Sequence, residues 1–279
     1  PFTRGRERSR SADSIVAECK DLFEQGFREV TLLGQNVDSY HFLDEEKDVA
    51  ITFAMLLENV ALISPLLRIR FSTSHPKDIT DEVLFTIKKY ENVCDYVHLP
   101  VQSGSTRVLQ LMNRTYTREW YMAKVARIKE IIPYCGISAD IITGFCTEEE
   151  KDHQDTLSIM EYAQYHSAYM YYYSERPGTL AQKRYIDDVP LEEKKRRLYE
   201  VVALQNKLSL ESNLKDIGKS FKILIEGDSK KSETDWMGKN SQGKVFVFPK
   251  EEYRLQKGEY VMVEATSCTQ GTLLGKIIK

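Results

Sequence analysis

The chain has 279 residues, of which 42% are hydrophobic and 29% charged, with a formal net charge of −3. That suits one large domain, or a core of about 200 residues with a small appendage. It argues against a protein that coats polyanions with its whole surface, so nucleic-acid contacts would come from local patches. Five scattered cysteines (Cys19, Cys94, Cys135, Cys146, Cys268), none at CxxC spacing, do not suggest a disulfide scaffold, and a reducing cytoplasm is expected. The longest apolar stretch, "FAMLLENVALISPLL", is broken by Glu58, Asn59 and Pro65, too often for a membrane span of about 20 residues.

The chain opens "PFTRGRERSR", with Arg4, Arg6, Arg8 and Arg10 alternating around Gly5. A helix is expected over 11–25, starting at Ser and Asp cap candidates and stopping at Gly26. Five strand-like runs follow: "EVTLLG", "LLRIRFS", "DYVHLPV", "GISADIIT" and "AYMYYYS". Amphipathic helices are expected between and around them, over 52–63, 80–91, 117–132 and 148–165. Strands alternating with helices imply βαβ units and a parallel sheet or barrel. The helix at 11–25 lacks the preceding strand that the others have, so a strand and a loop are expected upstream of Pro1.

Each run ends in polar or glycine-containing sequence: "GQN", "STSHP", "QSGS", "TGF" and "SERPGT". In α/β barrels such ends converge as an active site, although Gly, Ser, Asn and Pro also end ordinary strands. Five together favour a site.

From Pro190 the pattern becomes one long charged helix, with Leu191, Leu198, Val201, Val202, Leu204, Leu208 and Leu210 expected on its buried side. After Ile217–Gly218 come "SFKILIEG", "GKVFVFP", "EYVMVEAT" and "TLLGKIIK", which fit four or five antiparallel strands in a small OB-like barrel. Residues 217–279 carry eleven Lys and Arg against eight Asp and Glu, near +3 in a chain of −3. A basic module on an acidic body suits RNA holding, while a lysine-rich solvated surface is the plainer account.

Six segments, "PFTRGRE", "LLGQNV", "RFSTSHP", "HLPVQSGS", "LMNRTYT" and "YSERPGT", lie in this order over residues 1–179. In them the chain resembles the radical SAM methylthiotransferases, and its C-terminal module resembles the TRAM domain of those enzymes. "STSHP" resembles the branch acting on isopentenylated tRNA. The fold that the resemblance implies is α/β: a partial (β/α)6 TIM-like radical SAM barrel over 1–189 with its first strand missing, a connecting helix over 190–216, and an all-β OB-like TRAM barrel over 217–279. One departure stands at 144–150, where "GFCTEEE" replaces the family's usual Gly-Phe-Pro-Gly-Glu-Thr and leaves Cys146 in the loop.

The implied reaction adds a methylthio group to C2 of N6-isopentenyladenosine beside the tRNA anticodon, through a 5′-deoxyadenosyl radical. The implied cofactors are S-adenosylmethionine and two 4Fe–4S clusters. In the family "PFTRGRE" follows a CxxxCxxC loop, so the metal ligands are expected upstream of Pro1 and none in this chain. No catalytic side chain is expected, because the radical chemistry belongs to the cofactor. Cofactor contacts are expected from Gly34, Gln35, Asn36, Ser72, Ser74, Gln102, Ser103, Asp140, Ile142 and Gly144. Substrate or tRNA contacts are expected from Arg4, Arg6, His75, Arg114, Tyr173, Arg176, Lys219 and Lys239. Ordinary roles compete: a loop-holding histidine for His75, core packing for Asp140 and Ile142, a surface ion pair for Arg114, core or rim packing for the tyrosines. The implied partners are the isopentenylated tRNA and a flavodoxin- or ferredoxin-type electron donor, for a monomer away from membranes. The alternatives are methylthiolation of threonylcarbamoyladenosine in tRNA or of a ribosomal protein, and a non-catalytic RNA-binding fragment.

Overall fold

The computed structural model describes residues 8–34, 36–44, 48–72, 75–250 and 254–278. Helix α1 (Ala12–Glu24) leads into strand β1 (Glu29–Leu32), a 3-10 turn (Val37–Ser39) and a hairpin of β2 (His41–Asp44) and β3 (Val49–Thr52). Then come α2 (Phe53–Ala61), β4 (Arg68–Phe71), α3 (Asp81–Lys89), β5 (Tyr96–His98), α4 (Thr106–Leu111) and α5 (Arg118–Ile131). β6 (Gly136–Thr143), α6 (Glu150–Ala163), β7 (Ser167–Tyr172), the short α7 (Leu180–Arg184) and the long α8 (Leu191–Leu214) complete the body. Local chemistry sets the starts. The side chains of Thr52, Thr80, Ser105, Thr117 and Thr179 each accept the backbone N–H three residues on, at α2, α3, α4, α5 and α7.

β1 pairs with β4, and β5, β6 and β7 pair in that order, all parallel. A parallel bridge of Ile69 to Val93 joins the two pieces. Alternation gives the array two unlike faces. Val30, Leu32, Ile69, Phe71, Val97, Ile137, Ala139 and Ile141 belong to the main core with the helices. The opposite face carries Thr31, Arg70, Tyr96, His98, Ser138, Asp140, Ile142, Tyr169 and Tyr171. Parallel sheets are ordinarily covered by apolar residues on both faces, so a polar second face marks an interior built for something other than packing.

Strands β8 (Ser220–Ser229), β9 (Ser232–Lys239), β10 (Val245–Pro249), β11 (Tyr260–Cys268) and β12 (Leu273–Ile277) close into a barrel ordered β10-β12-β11-β8-β9. Ile223, Ile225, Phe246, Phe248, Val263, Ala265 and Leu273 fill it. One expectation is corrected there: β10 and β12 pair parallel, as closing an odd number of strands requires. The upper count of five strands holds, the fifth being the polar segment "SETDWMGK" as β9, which its composition concealed.

The expected buried side of α8 is also corrected. Leu191 and Leu210 are exposed, whereas Lys194, Arg197, Gln205 and Asn213 are buried beside Val201 and Leu208. These polar groups answer polar groups beneath them. Lys194 donates to the Asp187 carboxylate and the Tyr173 carbonyl, Arg197 to Glu148, Gln205 to the Tyr165 carbonyl and Asn213 to the Thr269 carbonyl.

The small barrel seats on the N-terminal ends of the parallel strands. Arg68 donates to the carbonyls of Lys239 (2.5 Å) and Lys222 (3.3 Å), and Arg70 to those of Asn240 (2.8 Å) and Ser241 (3.3 Å). Glu29 holds the Arg70 Nε at 3.0 Å. A Cβ at Gly136 would meet the Gln242 carbonyl oxygen at 2.5 Å, so the turn requires a bare backbone there. Because Arg68 is buried, Arg68→Ala strands two carbonyls and is expected to lower unfolding free energy by about 2–3 kcal/mol. Lysine should not rescue it, since one ammonium cannot span both carbonyls. Urea unfolding checks this, and an unchanged midpoint would refute the anchoring role.

Candidate functional site

The C-terminal strand ends gather on the side away from the small barrel. Two of the expected site loops are tied directly to each other. The Asn36 amide donates to Asp78 (2.5 Å) and its carbonyl accepts the His75 N–H (3.2 Å), joining the β1 loop to the β4 loop. Gly34 stands beside it, and a Cβ there would lie 3.6 Å from Val37, ordinary contact. The chain's own packing therefore does not require glycine at 34. Ser72 extends β4, donating its N–H to the Leu32 carbonyl at 3.2 Å. Arg4, Arg6, Gln35 and Ser74 lie outside the described residues. Arg10 pairs with Glu18 at 2.6 Å, as a charge fixing the start of α1.

His75 is half-buried and packs edge-on against Tyr116 at 5.9 Å. Its Nδ1 accepts the Lys77 N–H, the loop-holding bond of the plainer reading. Burial, then the nearby Arg114 and Lys77, lower its pKa against the pull of Asp78, so the ring is neutral at pH 7. Arg114 follows the left-handed Asn113, is half-buried and has no acid partner among the described residues. The expected rival, a surface ion pair, is not formed there.

Gln102 has a left-handed φ of 71° and is buried. Its N–H donates to the Asp140 carbonyl (2.8 Å) and its carbonyl accepts the Ile142 N–H (2.9 Å), threading the loop into the edge of β6. That backbone costs about 1 kcal/mol or more in a non-glycine residue. Its side-chain amide has no hydrogen-bond partner among the described residues. Ser103, by contrast, points into the protein: its hydroxyl lies 3.5 Å from that of Thr156 and accepts the Ser105 N–H at 3.2 Å. Gly104 packs so closely that a Cβ would fall 2.3 Å from the Asp155 carbonyl oxygen.

Asp152 gathers this loop. Its carboxylate accepts from the Ser105 hydroxyl (2.6 Å), the Glu149 N–H (2.8 Å) and the Arg107 guanidinium, which also donates to the Thr147 carbonyl (2.6 Å). Burial pushes the Asp152 pKa up, but these bonds, Arg107 first, outweigh it and hold the carboxyl below its ordinary value. The departure from the family motif lies in this network. Thr147, where the family has Gly, keeps a left-handed φ of 63° and donates its N–H to Asp188 at 2.7 Å. Glu149, where the family has Thr, caps α6 in a capping box with Asp152. Cys146, in place of Pro, is buried with Phe145 and Val108, and burial raises its thiol pKa.

On the open face, His98 joins the Ser138 hydroxyl at 2.8 Å and faces Asp140 at 3.6 Å, while Tyr96 reaches the same hydroxyl at 2.6 Å. Tyr169 stands edge-on to His98 and is exposed, as is Tyr171, which is paired in register with Ile142. Tyr173 lies elsewhere, against Phe145 at 4.8 Å and below the Lys194 ammonium, with its hydroxyl buried and unpartnered. Of the three consecutive tyrosines, Tyr171 is the ring on the open face; the count of two along β7 from Tyr169 was the signal that marks it. Gly144, at φ 68°, is required by α8: a Cβ would meet Lys194 Cγ at 2.4 Å. Arg176 is exposed after β7, Lys219 pairs with Asp216 at 3.3 Å, and Lys239 with Glu226 at 3.1 Å. The loops of Asn36, His75 and Arg114 are thus brought together, as are those of Gln102, Asp140 and Ile142, whereas Ser103 and Gly144 serve the scaffold and Tyr173, Lys219 and Lys239 stand apart.

The sequence profile of the radical SAM superfamily matches residues 1–160, and that of the TRAM domain matches residues 215–278. The chain belongs to the radical SAM superfamily. A protein of Amoebophilus asiaticus named tRNA-2-methylthio-N(6)-dimethylallyladenosine synthase is 61% identical over 99% of the chain and 59% of its own length. A protein of the same name from Phocaeicola vulgatus is 53% identical over 99% of the chain and 60% of its own length. The chain thus spans about three-fifths of the curated relatives it matches. Among solved structures, coproporphyrinogen III oxidase of Escherichia coli, described as a radical SAM enzyme, superposes with a TM-score of 0.52 at 14% identity, over 91% of the chain and 60% of that protein. That likeness supports the fold alone.

The radical SAM superfamily implies S-adenosylmethionine and an iron–sulfur centre. The described residues contain no group of three or more His, Cys, Asp or Glu placed to hold a metal, so they do not fit a cluster. They do fit S-adenosylmethionine: a polar open face, an unpartnered amide at Gln102 and a glycine at 34 that packing leaves unexplained. Thr147→Gly restores the family residue at a left-handed position and is expected to stabilise the protein by about 1 kcal/mol. Thermal unfolding checks it; a lower Tm would show that the Thr147 side chain supports the loop.

Proposed function

We propose that the chain is the larger part of a radical SAM tRNA methylthiotransferase that places a methylthio group on C2 of N6-isopentenyladenosine beside the anticodon. The observation that carries this reading is the 61% identity, over 99% of the chain, to the synthase of that name. In this reading the parallel strands are part of a (β/α)6 barrel whose first strand lies upstream. The barrel takes residues 1–189, the connecting helix 190–216 and the RNA-holding module 217–279. The ligands of two 4Fe–4S clusters also lie upstream. Electrons come from a flavodoxin- or ferredoxin-type donor, and the protein works as a cytoplasmic monomer.

S-adenosylmethionine with a reduced cluster supplies the radical chemistry that an unactivated aromatic C–H demands and that no side-chain acid or base provides. The residues here bind and orient. Gln102, whose side-chain amide has no partner among the described residues, would bind the amino-acid end of S-adenosylmethionine, and the bare backbone at Gly34 would allow close approach. The backbone of Asp140, Ile142 and Gly144 would hold the adenine, with Ser72 and Asn36 as further contacts. Ser103 acts by fixing the loop that aims Gln102. Arg114, which has no acid partner among the described residues, and His75 would serve the substrate side with Arg176. Tyr171 replaces Tyr173 as the ring offered to the isopentenyladenosine. Arg4 and Arg6, outside the described residues, stay proposed as tRNA contacts. Lys219 and Lys239 remain contacts for RNA backbone.

The test is the full-length protein, reconstituted under anaerobic conditions and given isopentenylated tRNA. Mass spectrometry of the digested nucleosides should show the methylthiolated product, and Gln102→Ala should reduce its formation at least tenfold at low S-adenosylmethionine. Absence of product with that tRNA, but product with threonylcarbamoyladenosine tRNA or a ribosomal protein, would move the substrate assignment. Absence with all three would leave an RNA-binding role.

A further inference from the structure

A cleft of about 360 Å³ runs along the seam where the body, the end of α8 and the small barrel meet. Lys129 and His166 line it from the body, Lys215 from the end of α8, and Lys219, Gln242 and Lys244 from the small barrel. Asp216 is held at 2.5 Å by Lys244 and at 3.3 Å by Lys219, and Glu211 is the other acid of the lining. Four lysines against two carboxylates leave a surplus of two positive charges. Lys219 and Lys244 share Asp216, and neither Lys129 nor Lys215 has an acid partner among the described residues, so the cleft as a whole stays positive. Lys129 donates to the Tyr162 carbonyl at 3.4 Å. Burial, and then the charge of Lys215 beside it, push the Lys129 pKa down. His166 adds an imidazole that burial keeps neutral, its pKa lowered to about 4, and its Nδ1 is buried without a hydrogen-bond partner among the described residues.

The half-buried Lys129 ammonium and the exposed one of Lys215 repel each other across the cleft, and an anion between them relieves that repulsion. The anion that fits offers several acceptor oxygens to donors on different elements, as a phosphodiester does. The seam also joins the body to the TRAM-matching module, so one phosphate there would be held by both. We propose that this seam is a notch for one phosphate of an RNA backbone, gripped jointly by Lys129, Lys215 and the small barrel. This deepens the proposed function and rests on its assignment of RNA as the partner.

The test measures binding apart from turnover. Fluorescence anisotropy of a labelled, isopentenylated anticodon-arm RNA is followed across a salt series with the full-length protein, the Lys129→Gln/Lys215→Gln variant and a charge-matched Lys230→Gln/Lys231→Gln control. Lys230 and Lys231 are exposed on the β8–β9 turn, away from the seam. The seam variant should bind several-fold more weakly, with a salt slope shallower by about one, and the control should lose far less. Replacing both seam lysines by arginine instead (Lys129→Arg with Lys215→Arg) should retain both affinity and slope. Equal losses in seam variant and control, or no loss in either, would overturn the notch. If the wild type makes no methylthiolated product yet the seam variant alone loses affinity, the synthase reading fails and the notch stands.

Discussion

Two arginines on β4 decide how the molecule is put together. Arg68 and Arg70 leave the end of a parallel strand and end on four carbonyls of the small barrel. Backbone carbonyls are fixed acceptors, so guanidiniums aimed at four of them define an orientation as well as a contact. Around them Asp95 accepts from Ser241, Gln242 donates to the Tyr134 carbonyl, and Tyr260 lies against the Arg68 guanidinium. The turn at 240–243 thereby covers the N-terminal half of the polar face. The C-terminal half, with His98, Asp140, Tyr169 and Tyr171, lies beyond that turn.

At that open half, precision comes from residues that never face it. Gln102 can hold a left-handed backbone because Ser103, Gly104 and Ser105 behind it are locked against α6. Asp152 is the centre of that lock, and Arg107 extends it to the next loop at Thr147. A buried carboxylate with three donors is a stiff element, since releasing any one of them would strand charge in a poor solvent. The same network explains how Gly-Phe-Pro-Gly-Glu-Thr becomes "GFCTEEE" without losing its turn. Arg107 and Asp188 hold Thr147 in the conformation glycine would take freely, and Glu149 replaces a hydroxyl cap with a carboxylate one.

Strand–helix alternation was legible because the parallel strands are apolar runs and the helices carry Ser or Thr caps. The small barrel was legible from its valines and phenylalanines, except β9, whose Ser, Glu, Thr and Asp face solvent on a barrel wall. The hairpin β2–β3 escaped because "HFLD" and "VAIT" are too short to show a period. Apolar counting failed on α8, where the buried stripe includes Lys194, Arg197 and Gln205. A helix that covers carbonyls and carboxylates needs donors on its inner side, and periodicity of hydrophobic residues cannot reveal them. Among site residues, loops gave their positions but not their directions. Ser103 and Gln102 are adjacent in sequence, yet one serves the scaffold and the other is left without a partner.

The two ends of the parallel array also set a distance. β6, with eight residues, measures about 26 Å from the seam at Gly136 to the loop after Thr143. In the proposed reading, an RNA held at the small barrel and presenting a base at the strand ends would run that length along the body. The arginine anchors on β4 and the packing at Gly136 leave the barrel little freedom to shorten the path. Selection among nucleotides could then arise from reach as well as from contacts at the base. A backbone contact that reads no sequence would still influence which base arrives at the open face, because it fixes where the duplex is held.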